Sequence, residues 1–111
     1  MNPEQEIKAY ANYHGYSDAH PYEVVRVVSP QTVEIRAMRA KEKPWKAVWH
    51  TGGFAGHCSN QEEQKWEIVS DESYPVERIR WSKQRGGLWQ DKWGRRFIMS
   101  DSPSRFYDYN F

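Results

Sequence analysis

Residues 22–38 read YEVVRVVSPQTVEIRAM, and this stretch decides the fold class. Its first half, Tyr22–Val28, is rich in β-branched residues and is followed by the turn-forming residues Ser29, Pro30 and Gln31. Its second half, Thr32–Met38, alternates between apolar and polar residues, which is typical of a strand with one buried face. The two halves together predict an antiparallel hairpin.

Further short strands are predicted along the rest of the chain, with turn signals between them. The clearest is Val76–Ser82, in which Ile79 and Trp81 share one face. The segment Gln84–Gly87 after it favours a tight hairpin turn, because its glycines adopt positive φ without steric cost. The other candidate strands are Trp45–His50, Gln64–Val69, Leu88–Trp93 and Phe97–Met99.

This spacing of short strands predicts a single, mostly β domain over residues 1–111, built as a small antiparallel barrel or curled sheet of the size of an SH3 domain. Residues 1–12 are predicted to form a short helical turn or a flexible segment. The chain of 111 residues has room for one hydrophobic core. Only 38% of it is hydrophobic, but its 6 Trp, 7 Tyr and 4 Phe can bury large areas.

So many aromatic rings exceed what a core of this size can hold, which indicates a binding face or a subunit interface. We therefore expect a homo-oligomer. The rings expected to lie between subunits include Trp89, Trp93, Phe106 and Tyr109.

The charge pattern argues against a protein that coats duplex nucleic acid. The chain has 16 Lys+Arg and 15 Asp+Glu, a net charge of +1, whereas such proteins carry a strong basic excess. Seven basic residues nevertheless concentrate between Arg78 and Arg96, with Asp91 as their single acidic neighbour. No apolar run is long enough for a signal peptide or a membrane span, and Cys58 is the one cysteine, so we expect a cytoplasmic protein.

Catalytic and metal-binding patterns are weak. His50, His57 and Cys58 lie close in sequence, but a zinc site usually needs four ligands in paired spacing, such as CxxC, which the sequence lacks. The sequence also lacks a nucleophile elbow and a phosphate-binding loop. We therefore predict a binding protein rather than an enzyme, with no metal and no cofactor.

The loop GGFAGHCSNQ, residues 52–61, is the first candidate binding segment. Its glycines allow a ligand to approach the backbone, and His57, Asn60 and Gln61 could hydrogen-bond to the edge of a base. The same residues also fit a tight connection in which Asn60 and Gln61 cap turns. Both interpretations stay open at this stage.

The second candidate is RWSKQRGGLWQDKWGRR, residues 80–96. Trp alternates there with Arg and Lys, which suits stacking on a base next to a neutralised phosphate. The alternative is a strand pair with Trp inward and charges outward, and the same strands could serve both purposes. We expect Arg80, Trp81 and Lys83 to converge with the loop and Trp49 on one pocket, within a subunit or across a subunit boundary.

Four segments in order, YSDAHPYEVVRVVSPQTVEIRAMRA, GGFAGHCSNQEEQKW, RIRWSKQRGGLW and RFYDYNF, carry a resemblance that covers nearly the whole chain. The chain resembles a widespread family of short phage-encoded proteins. Those proteins share an S-D-x-x-P-x-x-V entry to a strand, an R-W-S-K strand ahead of a G-x-W turn, and a Y-D-Y-x-F ending.

This family is similar to viral anti-CBASS sponge proteins, which sequester the cyclic oligonucleotide signals of bacterial antiviral defence. The resemblance implies an immune-evasion protein in the cytoplasm of the infected bacterial host, an oligomeric trap that binds a cyclic dinucleotide without cleaving it. The segment EKPWKAVWHTGGFAGH departs from the pattern, which leaves the identity of the nucleotide open. An alternative is an inhibitor that blocks a host defence protein or nucleic-acid complex by direct contact, and a third is an RNA-binding module.

The matched motif positions, together with the two candidate segments, give the predicted ligand-binding residues. They are Tyr16, Ser17, Asp18, His20, Trp49, His57, Asn60, Gln61, Arg80, Trp81, Lys83 and Tyr107.

Overall fold

The computed structural model describes residues 5–15, 17–50 and 57–108, leaving aside the side chains of His50, His57 and Arg85. Short 3-10 helices occur at Gln61–Glu63 and Lys83–Arg85. The strands of the described chain are β1 Tyr10–His14, β2 Ala19–His20, β3 Tyr22–Ser29, β4 Thr32–Glu42, β5 Trp49–His50, β6 His57–Cys58, β7 Trp66–Ser70, β8 Val76–Ser82, β9 Leu88–Gln90 and β10 Arg96–Ser100.

Six of these strands close into an antiparallel barrel. The order is β1, β3, β4, β8, β9 and β10, and β10 pairs back with β1. The prediction of a mostly β, small antiparallel barrel is confirmed. The predicted hairpin is β3 and β4, with Tyr22 opposite Ala37 and Val27 opposite Val33. The predicted glycine turn is also present, since Gly86 and Gly87 both have positive φ.

The interior of the barrel is filled by the inward-facing residues of the alternating strands. Trp89 is 1% exposed at its centre, so the expectation that Trp89 lies between subunits is wrong. A barrel this narrow is packed with side chains and leaves no internal chamber for a ligand. The core consists of Ala11, Tyr22, Val33, Ile35, Ile79, Trp89, Phe97 and Met99.

The start of the chain differs from the prediction. Residues 1–12 were expected to be helical or flexible, but Tyr10–His14 form β1, which pairs with β10 from Tyr10 opposite Ser100 to Tyr13 opposite Phe97. Ala11 is fully buried in the core. The strand forms because this pairing closes the barrel, a tertiary effect that overrides the weak local preference of the segment.

Strand β4 is longer than predicted and extends beyond the barrel. It continues past Met38 to Glu42, and this extension pairs with β7 while the first half pairs with β8. The small β5–β6 hairpin follows the far end of the extension, and of the predicted strand Trp45–His50 only Trp49–His50 is present. At about 3.3 Å per residue, β4 separates its two ends by about 30 Å.

Strand β9 ends at Gln90, although the sequence predicted a strand up to Trp93. The reason is Asp91, whose Oδ1 accepts hydrogen bonds from the backbone N–H groups of Trp93 and Arg95, both at 2.9 Å. These bonds fold the chain into a turn, which Gly94 completes with a φ of 84°. The turn leaves Trp93 outside the barrel.

A charged cluster around Arg95 covers one end of the barrel. The Arg95 guanidinium donates to Asp91, to Glu77 at 2.6 Å and to the Tyr22 hydroxyl at 3.5 Å. Burial alone would raise the pKa of Asp91, but the hydrogen bonds from the Arg95 side chain and from the backbone of Arg95 and Trp93 lower it overall. Burial and the nearby Glu77 carboxylate raise the pKa of Tyr22.

Asp91→Asn should lower the free energy of unfolding by about 1–3 kcal/mol, because it removes the charge that Arg95 bonds to in a buried setting. Urea denaturation measures this. The matched control is Asp101→Asn, since the Asp101 side chain is 90% exposed and 3.9 Å from Lys8. The control should change stability by less than about 0.5 kcal/mol. Equal losses in the two variants would contradict a structural role for Asp91.

The same variant has an expected pH dependence. The pKa of Asp91 is lower in the folded chain than in the unfolded chain, so its ionisation stabilises the fold above the ordinary carboxyl pKa of about 4. That stabilisation is lost as the pH falls through the lower folded-state pKa. The stability difference between wild type and Asp91→Asn should therefore shrink on acidification, and a constant difference would contradict the assignment.

Candidate functional site

An open groove of about 1220 Å³ runs along β8 and β9 and ends at the Arg95 cluster. Its floor is formed by the outward-facing residues of β8, because Ile79 on the same strand faces the core. Its far wall is the turn that Asp91 organises, including Lys92 and Trp93. The groove therefore combines side chains fixed by the barrel with side chains of an exposed turn.

The groove carries an excess of positive charge. Four cationic and two acidic side chains line it. Both acidic groups, Asp91 and Glu77, are bonded to Arg95, and Arg78 lies 3.1 Å from Glu34 outside the groove. Arg80 and Lys92, by contrast, have no carboxylate within ion-pair distance in the described chain. These two cations are available to an anionic ligand.

The strand register places an amide group between two guanidinium groups on the outer face. Arg80 is opposite Gln90, and Gln90 is opposite Arg96. With strands about 4.8 Å apart, the Cα atoms of Arg80 and Arg96 are separated by about 10 Å. Guanidinium groups bind phosphate through paired hydrogen bonds, and an amide can hydrogen-bond to the edge of a base.

Trp93 is the most exposed large hydrophobic side chain of the described residues, at 68%. The Lys92 Nζ lies 4.5 Å from its ring centroid, and the Arg95 guanidinium carbon lies 5.6 Å from it. An exposed indole ring among cations is a stacking surface for a base. The sequence analysis placed Trp93 at a subunit interface, which stays a prediction. The signal for its exposed position is the Asp-Lys-Trp-Gly sequence, which favours a turn.

The predicted residues of β8 and the following turn have separate positions. Arg80 lines the groove. Trp81 packs against the core, and its buried Nε1 has no hydrogen-bond partner in the described chain. Lys83 is exposed at the start of the 3-10 helix after β8. The strand-pair interpretation is therefore correct, with Trp81 and Trp89 inward and Arg80 outward. Stacking on a base next to a phosphate stays a prediction.

Asn60 organises the β5–β6 hairpin. Its Oδ1 accepts from the Val48 N–H at 2.6 Å, and its Nδ2 donates to the Lys46 carbonyl at 2.7 Å and to Glu63 at 2.9 Å. The residue is 9% exposed. This geometry favours the turn-capping interpretation, since the amide has its partners within the chain.

The other predicted residues of this segment lie around Asn60. Gln61 begins the 3-10 helix, and Trp49 is 51% exposed on β5, where it pairs with Cys58. Residues 51–56 and the His57 side chain lie outside the described part of the chain.

The hairpin and the Arg80–Lys83 segment do not meet within one subunit. The backbone N–H of Trp81 donates to the Gln31 carbonyl, beside the start of β4, whereas the hairpin follows Glu42 at the other end. The two ends are about 30 Å apart. The predicted pocket that combines the Arg80–Lys83 segment with this hairpin could therefore form only between two copies of the chain.

The S-D-x-x-P motif, which begins at Ser17, contacts the C-terminal segment. Asp18 accepts a hydrogen bond from the Asp108 N–H at 2.8 Å, and Ala19 pairs with Phe106 in an isolated bridge. Ser17 is half-buried beside Asp18. These contacts hold the C-terminal segment against β2.

Two further predicted residues lie near this junction. The Gln64 side-chain amide bonds to the backbone of Tyr107: its Nε2 donates to the carbonyl at 2.6 Å, and its Oε1 accepts from the N–H at 3.0 Å. His20 stacks on Tyr13 with ring centroids 5.6 Å apart. Tyr16 lies outside the described residues.

Comparisons of the chain with protein-family models, curated proteins and solved structures found no match. No helix within the described ranges is long and apolar enough to cross a membrane. The described residues also contain no group of three or more His, Cys, Asp or Glu side chains that could hold a metal ion. The functional argument therefore depends on the geometry of the groove.

Asn60→Ala should open the β5–β6 hairpin, because it leaves the Val48 N–H and the Lys46 carbonyl without their partners, at a cost of about 1–3 kcal/mol. Hydrogen exchange at the Val48 amide measures this, and its rate should rise by about tenfold or more. Glu62→Ala, an exposed neighbour, is the matched control and should leave that rate unchanged. Unchanged exchange in Asn60→Ala would indicate that the amide does not hold the hairpin.

Proposed function

We propose that this protein binds a nucleotide-type ligand in the groove beside Trp93 and holds it without cleaving it. The observation that carries the proposal is the exposed Trp93 ring beside Lys92, in a groove that Arg80 also lines. Neither cation has a carboxylate partner in the described chain. The resemblance of the sequence to phage-encoded sponge proteins favours a cyclic oligonucleotide. Its sequestration in the cytoplasm of an infected bacterium would suppress antiviral signalling.

Each chemical part of such a ligand has a counterpart in the groove. A base stacks on Trp93, an interaction worth about 1–3 kcal/mol per base. Arg80 and the exposed Lys92 bind phosphate groups, and Gln90 offers an amide to the edge of a base. The net positive charge of the groove suits a ligand with two phosphates, whereas the near-neutral chain as a whole does not suit a long polyanion.

The carboxylates of the groove support holding rather than hydrolysis. Cleavage of a phosphodiester by general base catalysis needs a group that can accept a proton near neutral pH. Asp91 and Glu77 are both bonded to Arg95, and the pKa of Asp91 is lowered by its hydrogen bonds. Neither carboxylate is placed to act as such a base.

A homo-oligomer belongs to this proposal. The groove is open on one side, and Trp93 presents most of its surface to solvent. A second copy of the chain placed over the groove would bury the free side of the base and exclude water from the phosphate contacts. Burial of this kind strengthens electrostatic contacts, because it lowers the local dielectric constant.

A second candidate function is inhibition of a host protein by direct contact. The observation in its favour is the outer part of β3, where Val25, Val27 and Val28 are 39%, 56% and 40% exposed. Adjacent exposed aliphatic side chains on a strand are typical of surfaces that bind a protein partner. This candidate predicts that variants of the β3 valines, and not of the groove, abolish activity.

Trp93→Ala should weaken the binding of a cyclic dinucleotide by about 5- to 100-fold, which corresponds to the loss of one stacked base. Titration calorimetry with a panel of cyclic di- and trinucleotides measures this. Because Trp93 is 68% exposed, the thermal transition should change little. Trp49→Ala is the matched control, since Trp49 is also largely exposed but lies beyond the far end of β4. If only Trp49→Ala weakens the binding of the cyclic dinucleotide, the binding site lies at the β5–β6 hairpin and not in the groove.

A ligand held without cleavage should be recovered intact. After incubation with excess cyclic nucleotide and denaturation of the protein, chromatography should return the cyclic compound with no linear product beyond the level of a protein-free control. Multiple turnovers of a linear product would contradict the proposal. If no member of the panel binds, the nucleotide assignment itself is wrong.

A further inference from the structure

A second cavity, of about 390 Å³, lies between the end of the barrel and the C-terminal segment. Its walls include the three tyrosines Tyr13, Tyr22 and Tyr74 together with His20. Arg95 lines both this cavity and the groove, so the charged cluster forms the partition between them. The proposed nucleotide groove does not use any of the other residues of this cavity.

Arg105 gives this cavity an uncompensated positive charge. Its Nη1 donates to the carbonyl oxygens of Ala19 at 3.1 Å and Phe106 at 2.7 Å, which fixes the guanidinium. The guanidinium carbon lies 4.8 Å from the ring centroid of Trp66. Within the described chain no carboxylate lies within ion-pair distance of Arg105, and its Nε and Nη2 have no hydrogen-bond acceptor. A half-buried guanidinium with free donors is a binding group for an oxyanion.

The pKa of His20 is affected by the same positive charge. Burial lowers the pKa of His20, and the charge of Arg105 lowers it further, while Asp18 acts in the opposite direction. This lowering favours the neutral imidazole, which keeps one N–H donor. The other charged group of the cavity, Arg95, is balanced by Asp91 and Glu77.

The geometry points to a second binding site in this cavity, for a small oxyanion attached to a flat aromatic body, such as an aryl phosphate or an aryl carboxylate. The free N–H groups of Arg105 and the N–H of His20 bind the oxyanion. The tyrosine rings contact the aromatic body, with Met38 as an apolar wall. This site is separate from the groove and does not depend on the proposed nucleotide function.

The test uses phenyl phosphate as the probe, with inorganic phosphate and phenol as its two halves. Ring C–H signals of the histidines are followed by NMR over a pH series, with and without probe. Bound phenyl phosphate should raise the pKa of His20, because the anion offsets the charge of Arg105. His14, exposed at the end of β1, is the internal control and should not respond. No response of His20 at saturating probe would overturn the inference.

Two variants separate the parts of the site. Arg105→Gln should weaken phenyl phosphate and inorganic phosphate alike by about tenfold or more, since charge-assisted hydrogen bonds are lost. Tyr74→Ala should weaken phenyl phosphate by several-fold but leave inorganic phosphate unchanged, because it removes an aromatic wall and keeps Arg105 and His20. Arg80→Gln, in the groove, is the matched control and should leave unchanged both affinities that are measured from the His20 signal.

Arg105 also anchors the C-terminal segment, so each variant must first keep its thermal transition. If Arg105→Gln fails to fold, Tyr74→Ala and the wild-type His20 titration decide the matter. Equal weakening of both probes by Arg80→Gln would place the anion in the groove and overturn the second site. If the wild-type protein binds phenyl phosphate but no cyclic nucleotide, the result counts against the groove alone.

Discussion

The guanidinium of Arg95 joins parts of the chain that are far apart in sequence. It bonds to Glu77 on β8, to Asp91 after β9 and to Tyr22 on β3, and it lies over the rings of Tyr13 and Phe97 on β1 and β10. A charge in this partly buried position needs partners, because a half-broken buried ion pair is strongly destabilising. The strands that supply those partners are thereby held together at one end of the barrel.

The size of the barrel and this cluster together restrict where a ligand can bind. Six strands enclose a space that Trp89 and its neighbours fill, so binding surfaces arise outside the barrel or at its ends. The cluster fixes the end and pairs its one guanidinium with two carboxylates. Arg80 and Lys92, on the outer side, have no carboxylate partner in the described chain. The result is a paired charge cluster flanked by two exposed cations and an exposed ring, and the proposed anion binding depends on this arrangement.

The parts of the fold that sequence predicts are those whose pattern is local. The alternation in Thr32–Met38 and Val76–Ser82 indicated strands, and the structure has β4 starting at Thr32 and β8 with the same bounds. Strand β1 was not predicted, because its partner β10 lies near the other end of the chain and no local pattern reports such a pairing. The end of β9 depends on the hydrogen bonds that Asp91 accepts from the backbone. The Asp-Lys-Trp-Gly sequence favours such a turn, but an analysis of hydrophobic periodicity does not detect it.

The candidate site also has parts that the local sequence pattern predicts and parts that it does not. Arg80 was predicted and lines the groove, but Trp81 next to it faces the core, because adjacent residues of a strand point to opposite faces. The motif residues Asp18 and Asp108 hold each other and close the C-terminal segment on β2. A resemblance carried by such residues reports the fold more directly than the ligand. The side chains that would select a ligand, Lys92 and Trp93, lie in a turn outside those motifs, so specificity can change there while the closing contacts of the barrel stay the same.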